Sequence, residues 1–227
     1  MAKSKILFVF TSADKNLLGA QTGWYLPEAA HPYYILAPHF DIDFASPKGA
    51  NPPVDESSVQ NFKDDVKFLE DPVVKEKLAT AKKLSEVNAD DYVAVFYPGG
   101  HGPVIDLPFD PVNTELANKF FRSGKVTAAV CHGPAALVAV TDASGKSIFS
   151  GREATAFSNT EEEQVNMTKA VPFSVEDKIK ELGGSYKKAA DPWGVYVTVS
   201  DNLFTGQNPA SAAPLAERIL QALQKST

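Results

Sequence analysis

One cysteine and four histidines carry most of the nucleophilic and ligating chemistry open to this 227-residue chain. Cys131 stands in Val126-Thr-Ala-Ala-Val-Cys-His-Gly-Pro-Ala-Ala-Leu137, where an apolar run ends and a small-residue run begins. A strand that stops on a nucleophile and turns at once into a helix is a nucleophile elbow, and its side chain sits where backbone N–H groups point. The partial positive charge of a helix N-terminus would lower the thiol from about 8.5 toward roughly 3.5–7.5, which predicts a thiolate at neutral pH. A buried core cysteine is the competing reading. Gly133 and Pro134, directly after His132, favour the elbow.

Three further features could work with that sulfur. Tyr97-Pro-Gly-Gly-His-Gly-Pro103 follows an apolar run. Glycines at the carboxyl end of a strand let backbone N–H groups approach a ligand, so Gly99 and Gly100 are candidate oxyanion donors, with a plain glycine turn as the alternative. Neither Gly-x-Gly-x-x-Gly nor a P-loop pattern is present. Glu28 lies in the mostly apolar stretch Thr22 to Pro32, where a carboxylate must be paired, exposed or held at an abnormal pKa; the last state suits a general acid or base. Glu161-Glu-Glu163 follows Ser158-Asn-Thr160 and reads as a capped helix start, with one acid available to orient a histidine. His31, His39, His101 and His132 show neither helical pair spacing nor a Cys-x-x-Cys partner, so no metal site is expected.

The elements that must position these residues alternate. Short apolar runs separated by helical patterns mark a mostly parallel sheet with helices on both faces. Strands are expected at Lys5 to Thr11, Ile42 to Ala45, Tyr92 to Tyr97, Lys125 to Val130 and, more weakly, Ala154 to Phe157. Tyr196 to Ser200 and Leu203 to Thr205, split by Asp201-Asn202, read as a hairpin near the sheet edge. Helices are expected at Trp24 to Leu36, Gln60 to Phe68, Pro72 to Ala79, Pro111 to Ser123, His132 to Ala139, Val175 to Leu182 and Pro209 to Leu223. The proline-rich segment Ala45 to Pro53 is a surface loop, over the site or a plain connector.

Composition narrows the class. The length fits a single domain over residues 1–227. A net charge of -6 and a pI near 5.3 leave no basic footprint for nucleic acid or an anionic membrane. One cysteine makes no internal disulfide, and Ile6 to Phe10 is too short for a signal or membrane segment. A cytoplasmic setting is the expectation, with the nucleus as a second compartment.

Taken together, Val130-Cys-His-Gly-Pro134, Gly99-Gly-His-Gly102, Thr22-Gly-x-x-x-x-Glu28-Ala-x-His-Pro32 and Asn88-Ala-Asp-Asp-Tyr92 resemble the ThiJ/PfpI superfamily. Within it they are most similar to the glutathione-independent glyoxalases of the heat-shock-protein thirty-one type. Asp41-x-Asp-Phe-Ala-Ser46, Asp191-Pro-Trp193 and Thr205-Gly-Gln-Asn-Pro-Ala-Ser-Ala212 match as well. The resemblance implies a flavodoxin-like three-layer α/β sandwich, as in class I glutamine amidotransferases, that forms homodimers and converts methylglyoxal to lactate with no cofactor. It makes Cys131 the nucleophile, His132 its acid/base partner and Glu28 the carboxylate beside the sulfur. The third triad member falls on Glu162, with Glu161 and Glu163 flanking it. Gly99, Gly100, His101 and Trp193 become the substrate and oxyanion contacts, with the backbone N–H of His132 as a further donor.

The implied chemistry is thiolate addition to the aldehyde of a 2-oxoaldehyde, proton transfer through an enediol, and hydrolysis of the Cys131 thioester. Other readings stay open. They are a stress-response chaperone using apolar surface around Trp24, Tyr25 and Tyr33 to Leu36, a cysteine redox sensor, and a protein deglycase or amidase.

Overall fold

The computed structural model describes residues 3–225. Its strands are β1 (Lys5–Val9), β2 (Asp41–Ser46), β3 (Lys82–Lys83), β4 (Ala94–Tyr97), β5 (Val126–Val130), β6 (Glu153–Ala154), β7 (Ser185–Tyr186), β8 (Val197–Ser200) and β9 (Leu203–Gly206). The main sheet has the order β3-β2-β1-β4-β5-β9-β8. All of its pairings are parallel except the edge hairpin β8–β9.

Side chains alternate across this sheet with the strand period of two. Ile6 and Phe8 of β1 face one core together with Phe44, Phe96 and Ala128, while Leu7 and Val9 face the other with Val95, Tyr97 and Ala129. Both faces are covered. Helices α1 (Leu26–Leu36), α2 (Glu56–Asn61), α3 (Val66–Glu70) and α4 (Pro72–Ala79) precede α5 (Gly102–Asp106), α6 (Pro111–Arg122), α7 (Asn159–Gln164), α8 (Val175–Glu181) and α9 (Ala212–Lys225). Leu26, Ala29, Ala30 and Tyr33 of α1 close the first core with Leu215, Ala216 and Ile219 of α9; Leu116, Ala117, Phe120 and Phe121 of α6 close the second. The architecture is the flavodoxin-like α/β sandwich. No described helix is long and apolar enough to cross a membrane.

Several expected elements change. The helix expected from His132 to Ala139 is only a 3-10 turn, Gly133–Leu137. Its residues are buried on every side, and Gly133 and Pro134 are poor helix formers, so no amphipathic face drives a longer helix. The helix expected from Gln60 to Phe68 breaks into α2, a 3-10 turn and α3. Asp55 caps α2 early by accepting from Ser57 and Ser58 N–H, which starts the helix upstream of Gln60. The strand expected from Ala154 to Phe157 shrinks to β6, outside the main sheet, because the Phe157 N–H donates instead to the Cys131 carbonyl at 2.9 Å.

The apolar cluster considered for client binding is mostly interior: Trp24, Tyr33 and Leu36 are buried and only Tyr34 is exposed. The loop from Ala45 to Pro53 is pinned to Trp24, whose indole N–H donates to the Pro52 carbonyl and whose backbone N–H donates to Pro53.

Candidate active site

Adjacent parallel strands β4 and β5 end side by side, and open α/β sheets bind ligands at the carboxyl ends of their strands. Cys131 follows β5 with φ +60, a left-handed conformation rare for a residue with a Cβ. Two backbone bonds hold it there. Its N–H donates to the Gly206 carbonyl, and its carbonyl accepts from Phe157 N–H, each at 2.9 Å. Strain sustained by the surrounding structure at a nucleophile is a mark of a functional site.

The loop after β4 presses against the thiol. A Cβ on Gly99 would lie 2.6 Å from Glu28 Oε2 and 2.8 Å from Cys131 Cβ, so only glycine fits between them. Gly100, at φ +95, turns its N–H toward Cys131. Of the two glycine N–H groups expected as oxyanion donors, one remains. The Gly99 N–H is already committed to Glu28 Oε2 at 2.8 Å, while that of Gly100 remains directed at the sulfur.

Glu28 sits in the first turn of α1 and is fully buried. Burial pushes its carboxyl up to about 8, against the opposing pull of the Cys131 side chain and the Gly99 N–H. It is a neutral acid at pH 7. Its Oε1 has no well-formed hydrogen bond. The thiol is also raised, by burial first and then by Glu28, and the Gly100 N–H offsets this only in part. The expected thiolate is thereby corrected to a resting thiol. A 3-10 turn of five residues supplies little dipole, and desolvation outweighs it.

A base stands beside the thiol. His132 Nδ1 lies 3.3 Å from Cys131 Sγ, and His132 Nε2 lies 2.6 Å from Glu162 Oε2. Burial lowers the pKa of His132 despite Glu162, so its ring is neutral at pH 7. Burial pushes Glu162 upward, but His132 and His101 together hold its carboxyl well below the ordinary range. An ionised Glu162 accepts the Nε2 proton and leaves Nδ1 free to take a proton from sulfur. Among the three consecutive glutamates, the one that reaches His132 is Glu162.

His101 and Trp193, expected as substrate contacts, each have protein partners of their own. His101 Nε2 donates to Glu162 Oε1 at 2.6 Å, and its ring lies 4.2 Å from that of His132. It braces the carboxylate. Trp193 is 43% exposed, gives its indole N–H to Gln164 and meets Phe157, which in turn lies 4.5 Å from the His132 ring. Trp193 lines a cavity of about 310 Å³ with Tyr25, Pro27, His31, Phe62 and Asn208.

Sequence reasoning missed two contributors. The Tyr25 phenol is pushed up to about 12 by burial and by Cys131 and Glu28, so it is a neutral hydroxyl beside the sulfur. Its position three residues before Glu28 was the only signal. Glu161, read as one of the first-turn acids of a capped helix, also anchors the Trp193 loop: its Oε1 accepts from Trp193 N–H, Gln207 and Asn208 at 2.9, 3.1 and 2.9 Å.

Comparison with known proteins fits this geometry. A model of the DJ-1/PfpI family matches residues 26–222. The glutathione-independent glyoxalase HSP31 of Saccharomyces cerevisiae is 34% identical over 99% of this chain and 100% of its own length. The crystal structure of glyoxalase III from Candida albicans superposes with a TM-score of 0.86 at 27% identity, covering 96% of this chain and 97% of that one. The Rapid Encystment Protein 24 kDa of Francisella tularensis superposes with a TM-score of 0.91 at 37% identity, over 97% and 99% of the two chains.

Proposed function

The chain belongs to the DJ-1/PfpI family, and from that premise we propose that it is a glutathione-independent glyoxalase that converts methylglyoxal to lactate on Cys131. The observation that carries this reading is a buried thiol flanked by a neutral imidazole at 3.3 Å and by a carboxyl that is protonated at pH 7. An isomerising enzyme that moves protons between two adjacent carbons needs one base and one acid on the same bound intermediate.

The proposed sequence uses those groups in turn. His132 Nδ1 takes the thiol proton as sulfur attacks the aldehyde carbon; the Gly100 N–H faces the developing oxyanion, and Glu28 protonates it. The Glu28 carboxylate so formed removes the hydrogen from that carbon, while the His132 imidazolium protonates the neighbouring ketone oxygen, giving an enediol. Glu28 returns its proton to the second carbon and His132 takes the hydroxyl proton of the first, leaving a lactyl thioester. Water cleaves the thioester as the Glu28 carboxylate takes its proton, His132 returns a proton to sulfur, and the lactic acid formed releases one proton to solvent. The sum is one 2-oxoaldehyde and one water giving one lactate and one proton.

The test is incubation of chelator-treated protein with methylglyoxal and no glutathione, alongside Cys131→Ala, with D- and L-lactate quantified separately. Lactate from the wild type alone is the expected result; no lactate from either would overturn the reading. Homodimerisation and a cytoplasmic location belong to the same proposal. Light scattering should return twice the chain mass of 24.4 kDa, and a monomer would reject the dimer.

A further inference from the structure

The four histidines are far apart in the sequence, but the fold brings two of them onto one carboxylate. His101 Nε2 and His132 Nε2 each lie 2.6 Å from a different oxygen of Glu162, and the ligand-type atoms of the three residues all fall within 4.8 Å of one another. Two imidazoles and one carboxylate are the donor set of an open, three-ligand zinc site with its fourth position left to water.

We propose that His101, His132 and Glu162 form a binding site for a borderline divalent cation, Zn²⁺ by preference, and that occupancy switches the thiol chemistry off.

Three observations support it. The donors are mixed nitrogen and oxygen with no second carboxylate, a set that suits zinc-type ions better than magnesium or calcium. Zinc–nitrogen bonds of about 2.0–2.1 Å would place the two nitrogens roughly 3.4 Å apart, a closure of at most about 1.4 Å from the 4.8 Å within which the ligand atoms lie. The two rings are already neighbours, with centroids 4.2 Å apart. Glu162 also lines a cavity of about 160 Å³ together with Glu163 and Asp177 and without any lysine or arginine, which gives a cation an acidic approach.

The consequence for the sulfur follows from the imidazole itself. Nδ1 faces Cys131 and Nε2 faces Glu162 on the other side of the ring, so the sulfur cannot share an ion bound at Nε2. A metal on Nε2 displaces that proton to Nδ1. His132 then presents an N–H to the thiol and can no longer accept its proton. Binding rests on geometry alone; the inhibition rests on the function proposed above.

The experiment uses the full chain, stripped with chelator and desalted, and Co²⁺ as the spectroscopic probe. One Co²⁺ per chain should bind with visible d–d bands and without a sulfur-to-cobalt charge-transfer band, and Zn²⁺ should displace it. Cys131→Ser should keep that binding. His101→Ala and Glu162→Gln should each weaken Zn²⁺ affinity by at least about 10–100-fold, measured by competition with the cobalt probe. His101→Gln, which can still donate to Glu162, replaces His101→Ala if that variant melts early. Absence of stoichiometric binding, binding indifferent to loss of His101, or a sulfur charge-transfer band would each overturn the site. Zn²⁺ should reversibly suppress lactate formation, with recovery on chelation. Cobalt binding as described in a protein that makes no lactate would leave the site standing and reject the glyoxalase reading alone.

Discussion

Glu28 and Glu162 are chemically the same group, both are buried, and each contacts one member of the Cys131–His132 pair, yet the protein drives them in opposite directions. Burial raises both. Glu28 receives one backbone N–H and shares the remaining space with a sulfur, so desolvation prevails and the carboxyl stays protonated to about pH 8. Glu162 receives an imidazole N–H on each oxygen, and the two histidines overcome the same penalty. Burial therefore sets no sign by itself; the number and charge of the donors facing the carboxylate decide it. An acid at one side of the nucleophile and an anion at the other are the two states that an acid–base shuttle requires.

Removing the sulfur should give the largest effect, because both glutamates act through it. Cys131→Ala is expected to abolish lactate formation while retaining the fold. With no second thiol in the chain, any remaining turnover would have to come from non-sulfur chemistry and would break the comparison at its centre.

The two carboxyls should also pull stability in opposite directions along the pH axis. A carboxyl raised from 4.5 to about 8 binds more protons folded than unfolded across that interval, so its contribution falls as pH climbs, by up to about 5 kcal/mol. Glu162, lowered, contributes fully above its unfolded pKa and loses that contribution as the pH falls below it. Glu28→Gln should therefore raise the melting temperature relative to wild type at pH 9 more than at pH 5. Glu162→Gln should flatten the acid limb instead. Parallel shifts of both limbs in either variant would show that the two groups do not titrate as assigned.

On turnover the same substitutions should each lower kcat/KM by about 10²–10⁴-fold. They should separate in form. Glu28→Gln keeps an oxygen for the Gly99 N–H but has no proton to deliver, so the decline in activity above pH 8 should vanish along with most of the rate. Glu162→Gln disturbs the His132 proton, so alkylation of Cys131 by iodoacetamide should slow as well. An unchanged alkylation rate would remove His132 from the role of base.

Much of this arrangement was legible in the residues. The alternation of apolar runs gave the parallel sheet, because buried strands must be apolar on both faces, and the joint motifs around Cys131, Gly99 and Glu28 gave the site's neighbourhood. What escaped was whatever depends on distance across the fold. No local pattern tells that Gly99 spends its N–H on Glu28, or that His101 turns toward Glu162. The raised thiol escaped for a related reason: the sequence displays the turn that would lower it, whereas the burial and the Glu28 carboxyl that raise it come from the folded surroundings.

Glu161 offers the finest test of how donors set a carboxylate's state. Burial raises it, but five hydrogen bonds from Ser158, Trp193, Gln207 and Asn208 prevail and keep it below its ordinary value. Glu161→Gln preserves shape and the oxygen that faces Trp193, Gln207 and Asn208. It sets an amide NH₂ against the Ser158 N–H, a donor against a donor, at a cost of about 1–3 kcal/mol. Because Glu162 is the next residue on the same helix and its histidines are untouched, kcat should stay within a few-fold while the melting temperature falls and Trp193, held at φ +66 by this bond, reports greater solvent exposure in its fluorescence. A loss of kcat as large as that of Glu162→Gln would mean that the two adjacent acids form one functional unit.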